Sequence, residues 1–249
     1  MTNLRLDGRR VLVTGASSGL GAHFAVTLAR AGAEIVIAAR REDPLKELAN
    51  VLRQDGYACS TARLDIADPT SIEHLAPELE TIDVLVNNAG VAHEAWALDQ
   101  TERDWDRVVN TNLKGTFLLA QAAGRAMRAR GGGSIINVAS ILGLRQGSNV
   151  LPYAVSKAGV IQLTKTLALE LARDRIRVNA IAPGYFATEM NSAFWETDGG
   201  RAMLRRIPQR RLGELRDLDG PLLLLASDAS AYMTGSVLVV DGGHLVSSL

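Results

Sequence analysis

The sequence predicts an α/β fold: one doubly wound parallel sheet of seven strands with helices on both faces. Two observations predict it. Short β-branched or aliphatic runs alternate with longer helical patterns from end to end. The runs are also nearly continuously apolar, as strands covered on both faces must be. No linker, repeat or low-complexity stretch interrupts residues 1–249, so a single domain is expected.

Taken in order, residues 11–13, 34–39, 84–86, 134–138, 177–181 and 237–240 read as buried strands, with a weaker candidate at 58–62. Helical composition falls near 20–31, 43–56, 69–79, 102–130, 153–173 and 214–227. Asp43 before Pro44, and Asp68 before Pro69, each pair an N-cap with a proline at the first helical position. The irregular stretch from Pro183 to Arg211 holds Tyr185, Phe186, Phe194 and Trp195, and predicts a substrate lid around 184–211.

Composition removes several function classes. The 27 basic and 27 acidic side chains cancel, and without a basic run no nucleic-acid surface is expected. One cysteine, Cys59, excludes an intrachain disulfide. The first residues lack a signal-peptide apolar run, and the longest apolar stretches are too short for a membrane span, so a cytoplasmic protein is the default expectation. No zinc-ligand spacing is visible, and the expected chemistry needs no metal.

A glycine-rich turn, Thr14 to Gly21, follows the first strand and opens the first helix. Gly15, Gly19 and Gly21 allow close backbone approach to a phosphate, and the helix N-terminus offers free N–H donors. The spacing is not G-x-G-x-x-G, but its place at a strand-to-helix turn supports a dinucleotide. At the end of the second strand Ala39 supplies no carboxylate, while Arg40, with Arg41 beside it, supplies a guanidinium for a 2′-phosphate. NADP(H) is therefore favoured, and NAD(H) remains possible.

Tyr153 and Lys157 lie four residues apart in a helical segment and share one face. A nearby ammonium favours the phenolate and is expected to lower the tyrosine pKa, giving an acid/base for an oxygen.

Together these motifs resemble the short-chain dehydrogenase/reductase family, in its single-domain, Rossmann-like form of about 250 residues. Thr14–Gly21 resembles the family's T-G-x-x-x-G-x-G turn, Asn87–Gly90 its N-N-A-G strand end, and Asn110–Gly115 the segment around its asparagine. Ser140, Tyr153 and Lys157 follow in the family's order, and Pro183, Gly184 and Thr188 match its P-G-x-x-x-T. The resemblance implies that Tyr153 is the catalytic acid/base and that Ser140 hydrogen-bonds the reacting oxygen. It implies that Lys157 lowers the tyrosine pKa and binds the nicotinamide ribose, while Asn112 holds a water on the proton path. The implied cofactor contacts are Gly15, Ser17, Ser18, Gly19, Leu20, Gly21, Arg40, Arg41, Asp65, Ile66, Asn88, Ala89, Gly90, Tyr153, Lys157, Pro183, Gly184 and Thr188.

The implied activity is hydride transfer between nicotinamide and a small ketone or secondary alcohol. The expected substrate wall comprises residues 140–147, with Ser140 and Leu142 among them, 149–151, Tyr153, Tyr185, Phe186 and the lid with Phe194 and Trp195. Apolar and aromatic residues dominate it, which suggests a largely nonpolar substrate. Three alternatives remain: a 3-oxoacyl-(acyl-carrier-protein or CoA) reductase, a non-catalytic NADP(H)-binding regulator, and an assembly subunit. Apolar residues beyond one stripe in 153–173 and 116–127 predict a second buried helix face, and with the resemblance a homotetramer.

Overall fold

The apolar runs form one sheet of seven parallel strands in the order β3-β2-β1-β4-β5-β6-β7. They are β1 (Arg10–Thr14), β2 (Glu34–Ala39), β3 (Cys59–Arg63), β4 (Val84–Asn87), β5 (Gly133–Val138), β6 (Ile176–Pro183) and β7 (Val237–Val240). The structure is a computed structural model and describes residues 4–187 and 195–247. Thr188 and Phe194 lie outside the described residues.

Successive strand side chains point to opposite faces, and this alternation splits the core into two layers. Val11, Val13, Ile35 and Ile37 face α1 (Gly19–Arg30) and α2 (Glu42–Gln54), burying Phe24, Leu28, Leu45 and Leu52. Leu12, Val36, Leu85 and Ile135 face the other way, onto Leu119, Met127 and Leu167. Each fully buried leucine contributes roughly 1.5–3 kcal/mol.

Strand order reverses between β1 and β4, where Val11 pairs with Ile35 on one side and Val84 on the other. Ligands of open parallel sheets bind beyond the carboxyl ends of strands at such a switch point.

The helices depart from expectation in four places. The Asp68 carboxylate caps α3 (Pro69–Glu73) as predicted, accepting from Thr70 N–H at 3.0 Å. The predicted 69–79 helix, however, breaks into α3 and α4 (Ala76–Leu79). Pro77 explains the break, because it has no N–H to donate to the preceding turn. Asp43 is not a cap either: α2 starts at Glu42 with Arg41 as N-cap. Pro44 then sits in the first turn, where its missing N–H has no intrahelical partner to lose.

The predicted 102–130 helix comprises α5 (Glu102–Val109), a π-helical segment Asn110–Gly115, and α6 (Thr116–Arg130). The next helix, α7 (Leu151–Leu171), begins two residues earlier than predicted, with Pro152 in its first turn. The excursion after β6 carries α8 (Asp198–Leu204), and α9 (Asp219–Ala226) returns the chain to β7.

Candidate active site

The glycine turn joins the ends of β1 and β4. The Thr14 hydroxyl accepts from the N–H groups of Asn88 and Ala89, both at 3.1 Å, and the Asn88 amide donates back to Thr14 O at 3.0 Å. Only glycine fits beneath this clasp. A Cβ on Gly15 would lie 2.8 Å from Ala89 Cα, and one on Gly21 would lie 2.4 Å from the Gly15 carbonyl oxygen. Gly19, at φ +56°, opens α1 toward free space, and Ser18 places no side-chain cap on the helix. The first turn of α1 contains no acidic residue. Open N–H donors with positive potential and no competing carboxylate fit a dinucleotide pyrophosphate.

Arg41 reaches across this turn. One Nη2 donates to Ser17 Oγ at 3.0 Å and to Ser18 Oγ at 2.9 Å. Neighbouring Glu42 does not neutralise the arginine pair, because it engages Lys46 at 3.3 Å and Arg63 at 3.8 Å. Arg40 is exposed and makes no hydrogen bond or ion pair among the described residues. Asp65 follows β3, where one carboxylate oxygen accepts from Ala67 N–H at 3.0 Å. Buried Ile66 packs against Gly115 of the π segment. At the far strand ends Gly184 donates its N–H to Val240 O at 2.8 Å, beside buried Pro183.

Ser140, Tyr153 and Lys157 converge where β5 meets α7. Ser140 Oγ accepts from Leu142 N–H at 3.1 Å, which leaves its own proton available to donate. Its hydroxyl pulls the Tyr153 pKa down, but burial outweighs it and, with Tyr185 adding to the rise, holds the phenol above its ordinary value. The direction is opposite to the lowering by Lys157 that the resemblance implies. The lysine Nζ donates to Val138 O at 2.6 Å and lies 5.6 Å from the Tyr153 ring centroid. Burial depresses the lysine itself, to about 8.

The π segment sets Asn112 between the exit of β4 and α7. Its Nδ2 donates to Val91 O at 2.9 Å and Ser156 Oγ at 3.0 Å, while its Oδ1 accepts from Val91 N–H at 2.8 Å. Ser156 then donates to Tyr153 O at 2.7 Å. Sequence reading missed Ser156, although its position three residues after Tyr153 places both on one helix face. Gly90 passes close to both groups: a Cβ there would lie 3.2 Å from Asn112 Oδ1 and 3.6 Å from Lys157 Nζ.

The substrate wall needs a second correction. Phe186 is buried in the first core layer, and a Cβ on Gly213 would strike its ring at 2.5 Å. Its ring is packed into the core, whereas the sequence leads to an open wall residue. Tyr185 remains half-buried, with Trp195 edge-on at 5.4 Å and His244 at 5.5 Å between centroids. Leu142 lines the turn after Ser140 and touches the Gly147 backbone region. Arg145, which falls in the 140–147 stretch expected to wall the substrate, and His244, which the sequence did not mark, join this end of the site beside Tyr185.

A family model described as Enoyl-(Acyl carrier protein) reductase matches residues 15–244. The chain belongs to the short-chain dehydrogenase/reductase family. It is 42% identical over 244 residues to the 2-dehydro-3-deoxy-D-gluconate 5-dehydrogenase of Bacillus subtilis, covering 96% of each chain. It is 40% identical to the 3-oxoacyl-(acyl-carrier-protein) reductase of Thermotoga maritima, covering 98% of this chain and 100% of that one. The crystal structure of a gluconate 5-dehydrogenase from Burkholderia cenocepacia, in complex with NADP and tartrate, superposes with TM-score 0.95 at 39% identity, covering 99% of each.

The chain is thus an NAD(P)-dependent oxidoreductase acting on hydroxyl and keto groups. Among the described residues, no helix is long and apolar enough to cross a membrane.

Proposed function

We propose that this enzyme interconverts a small secondary alcohol and its ketone with NADP(H), and that the substrate is a hydroxy acid of the aldonate type. The observation that carries the reading is the meeting of Ser140, Tyr153 and Lys157 beside the glycine cradle. A bound nicotinamide would supply or accept the hydride at the carbinol carbon. In reduction, Ser140 and Tyr153 donate hydrogen bonds to the oxygen as its charge grows, and Tyr153 delivers the proton. In oxidation Tyr153 removes it.

Lys157 keeps donors for the ribose hydroxyls, and its charge, once dehydrated, favours the phenolate only from close range. Asn112 has its side chain engaged, so any water it holds rests on the backbone carbonyl. Gly15 through Gly21 would take the pyrophosphate, Asp65 the adenine, and Asn88–Gly90, Pro183, Gly184 and Thr188 the nicotinamide end. Arg40 and Arg41, without ion pairs among the described residues, would hold the 2′-phosphate.

The aldonate class rests on the Bacillus and Burkholderia relatives, which are named for gluconates, and on a substrate wall less apolar than expected. The Thermotoga relative favours a second reading, a 3-oxoacyl thioester. Against it, Arg130 is tied to Asp83 at 2.8 Å and Ile82 O at 2.7 Å, and is not free for an acidic carrier protein. A screen of aldonates, keto-aldonates, nonpolar ketones and a 3-oxoacyl thioester, with NADPH and NADH, tests both. Turnover of nonpolar ketones or the thioester in preference to keto-aldonates would overturn the proposed class.

A homotetramer belongs to the same reading. Val155, Leu151 and Leu169 of α7 and Phe117 of α6 are exposed apolar side chains, as are Val239 of β7 and Val246 beyond it. Two such faces suit two kinds of two-fold contact. Light scattering of the active protein decides the assembly, with a stable monomer as the contrary result.

A further inference from the structure

Three strand ends deliver Arg145, Tyr185 and His244 to one place at the outer end of the crevice. Arg145 follows the 3₁₀ turn Ile141–Gly143 after β5, and its backbone N–H bonds Ile141 O at 2.8 Å. Its guanidinium donates from Nη1 to His244 O at 2.5 Å. His244 belongs to the turn beyond β7. Asp241 builds that turn by accepting from Gly243 N–H at 2.8 Å and Leu245 N–H at 2.6 Å. The imidazole is thereby folded inward beside Tyr185, at 5.5 Å between ring centroids.

The groups in this cluster are incompletely satisfied. Arg145 is half-buried, and the bond to His244 is its only side-chain hydrogen bond among the described residues. No carboxylate among those residues forms an ion pair with it. His244 is 4% exposed, and its Nδ1 has no hydrogen-bond partner among the described residues. The Tyr185 hydroxyl makes no hydrogen bond among the described residues. Burying such groups without partners is unfavourable, and a guanidinium beside neutral donors is what a carboxylate satisfies best. The surrounding charge agrees: Arg145 and Arg206, together with burial, hold His244 below its ordinary pKa, and only Asp241 opposes them.

We infer that Arg145, with His244 and Tyr185, is the subsite that receives the carboxylate of the substrate, at the end remote from the reacting carbinol. The inference rests on the proposed aldonate class and adds the residues that enforce it. Arg145 is thus a specificity residue: it discriminates an acid from a neutral ketose of the same chain length.

The test compares the wild-type enzyme with Arg145→Gln and Arg145→Lys. The readout is the ratio of kcat/KM for a keto-aldonate to that for the matching neutral ketose, with NADPH. One charge-assisted hydrogen bond predicts that Arg145→Gln lowers this ratio about ten- to a hundred-and-fifty-fold. Arg145→Lys restores part of it. Thermal shift supplies a readout independent of turnover: gluconate in the presence of NADP stabilises the wild-type protein and not Arg145→Gln. A wild-type enzyme that prefers neutral ketones, or binds no aldonate, overturns the substrate class and the subsite together. An acid-preferring wild type whose Arg145→Gln variant keeps the same ratio overturns the subsite alone.

Discussion

The two ends of the crevice are built by opposite means. At the nucleotide end the backbone does the positioning: Gly15 and Gly21 pack against Ala89 and Asn88, and the uncapped amides of α1 would face the phosphates. The parts of this clasp lie within a few residues of β1 or β4. At the substrate end, side chains from far-separated strand ends make the surface, and the Arg145–His244 bond spans 99 positions. Backbone geometry suits a ligand shared by many enzymes, because it recognises phosphate and little else. Side chains gathered from three strand ends can change without disturbing the sheet, and that is where specificity resides.

The sharpest way to break this division lies at the junction of the two ends. Tyr153→Phe removes the acid/base and almost no volume, so turnover should fall about 10²–10⁴-fold. NADPH affinity, followed by nicotinamide fluorescence, should hold. Loss of both together would show that the ends are not separable.

Next in size is the lysine between them. Burial lowers Lys157 from 10.5 to about 8 in the folded protein, so between those values the unfolded chain binds more protons. Stability therefore rises with pH across that window and is diminished below it. Relative to Lys157→Met, the cofactor-free wild type should gain about 2 kcal/mol from pH 7 to 9.5 in urea unfolding. A constant difference across that range contradicts the buried ammonium.

The nucleotide end can then be sharpened. Arg40→Ala should weaken NADPH about ten- to a hundred-and-fifty-fold while sparing NADH. Arg41→Ala should act in the same direction and also release Ser17 and Ser18. An equal loss for both cofactors would assign these arginines a structural role. Smallest is Gly21→Ala, whose Cβ would meet Gly15 O at 2.4 Å and Asn88 Nδ2 at 2.5 Å. Overpacking of this kind lowers stability by roughly 1–3 kcal/mol. An unchanged melting temperature would mean that the clasp yields.

What the sequence made legible follows the same division. The strands and the glycine turn could be read because their signals are local: apolar runs, a turn composition, a proline after Asp68. Pro77 was equally local, and its effect on 69–79 was available to a closer reading. The π segment at Asn110–Gly115 carries no composition of its own and depends on Asn112 bonding Val91 across the fold. Phe186 looked like an aromatic wall because burial behind Gly213 is a tertiary fact. The expected lowering of the Tyr153 pKa rests on spacing alone. Helical spacing places Lys157 nearby, but Val138 O holds its ammonium and the surroundings exclude water. His244 carried no signal, and Arg145 reads only as one residue of the expected 140–147 wall, since nothing in sequence connects the two.

The central claim is that Tyr153 moves the proton accompanying hydride transfer, and single-turnover pH profiles in both directions test it most directly. Burial holds the phenol above its ordinary pKa, so its ionisation falls in the alkaline range. Oxidation of the alcohol needs the phenolate and should accelerate as pH rises; reduction of the ketone needs the phenol and should slow over the same interval. Opposite slopes that both vanish in Tyr153→Phe are the predicted result. Profiles that are flat, or that slope the same way in both directions with chemistry limiting the rate, would contradict it.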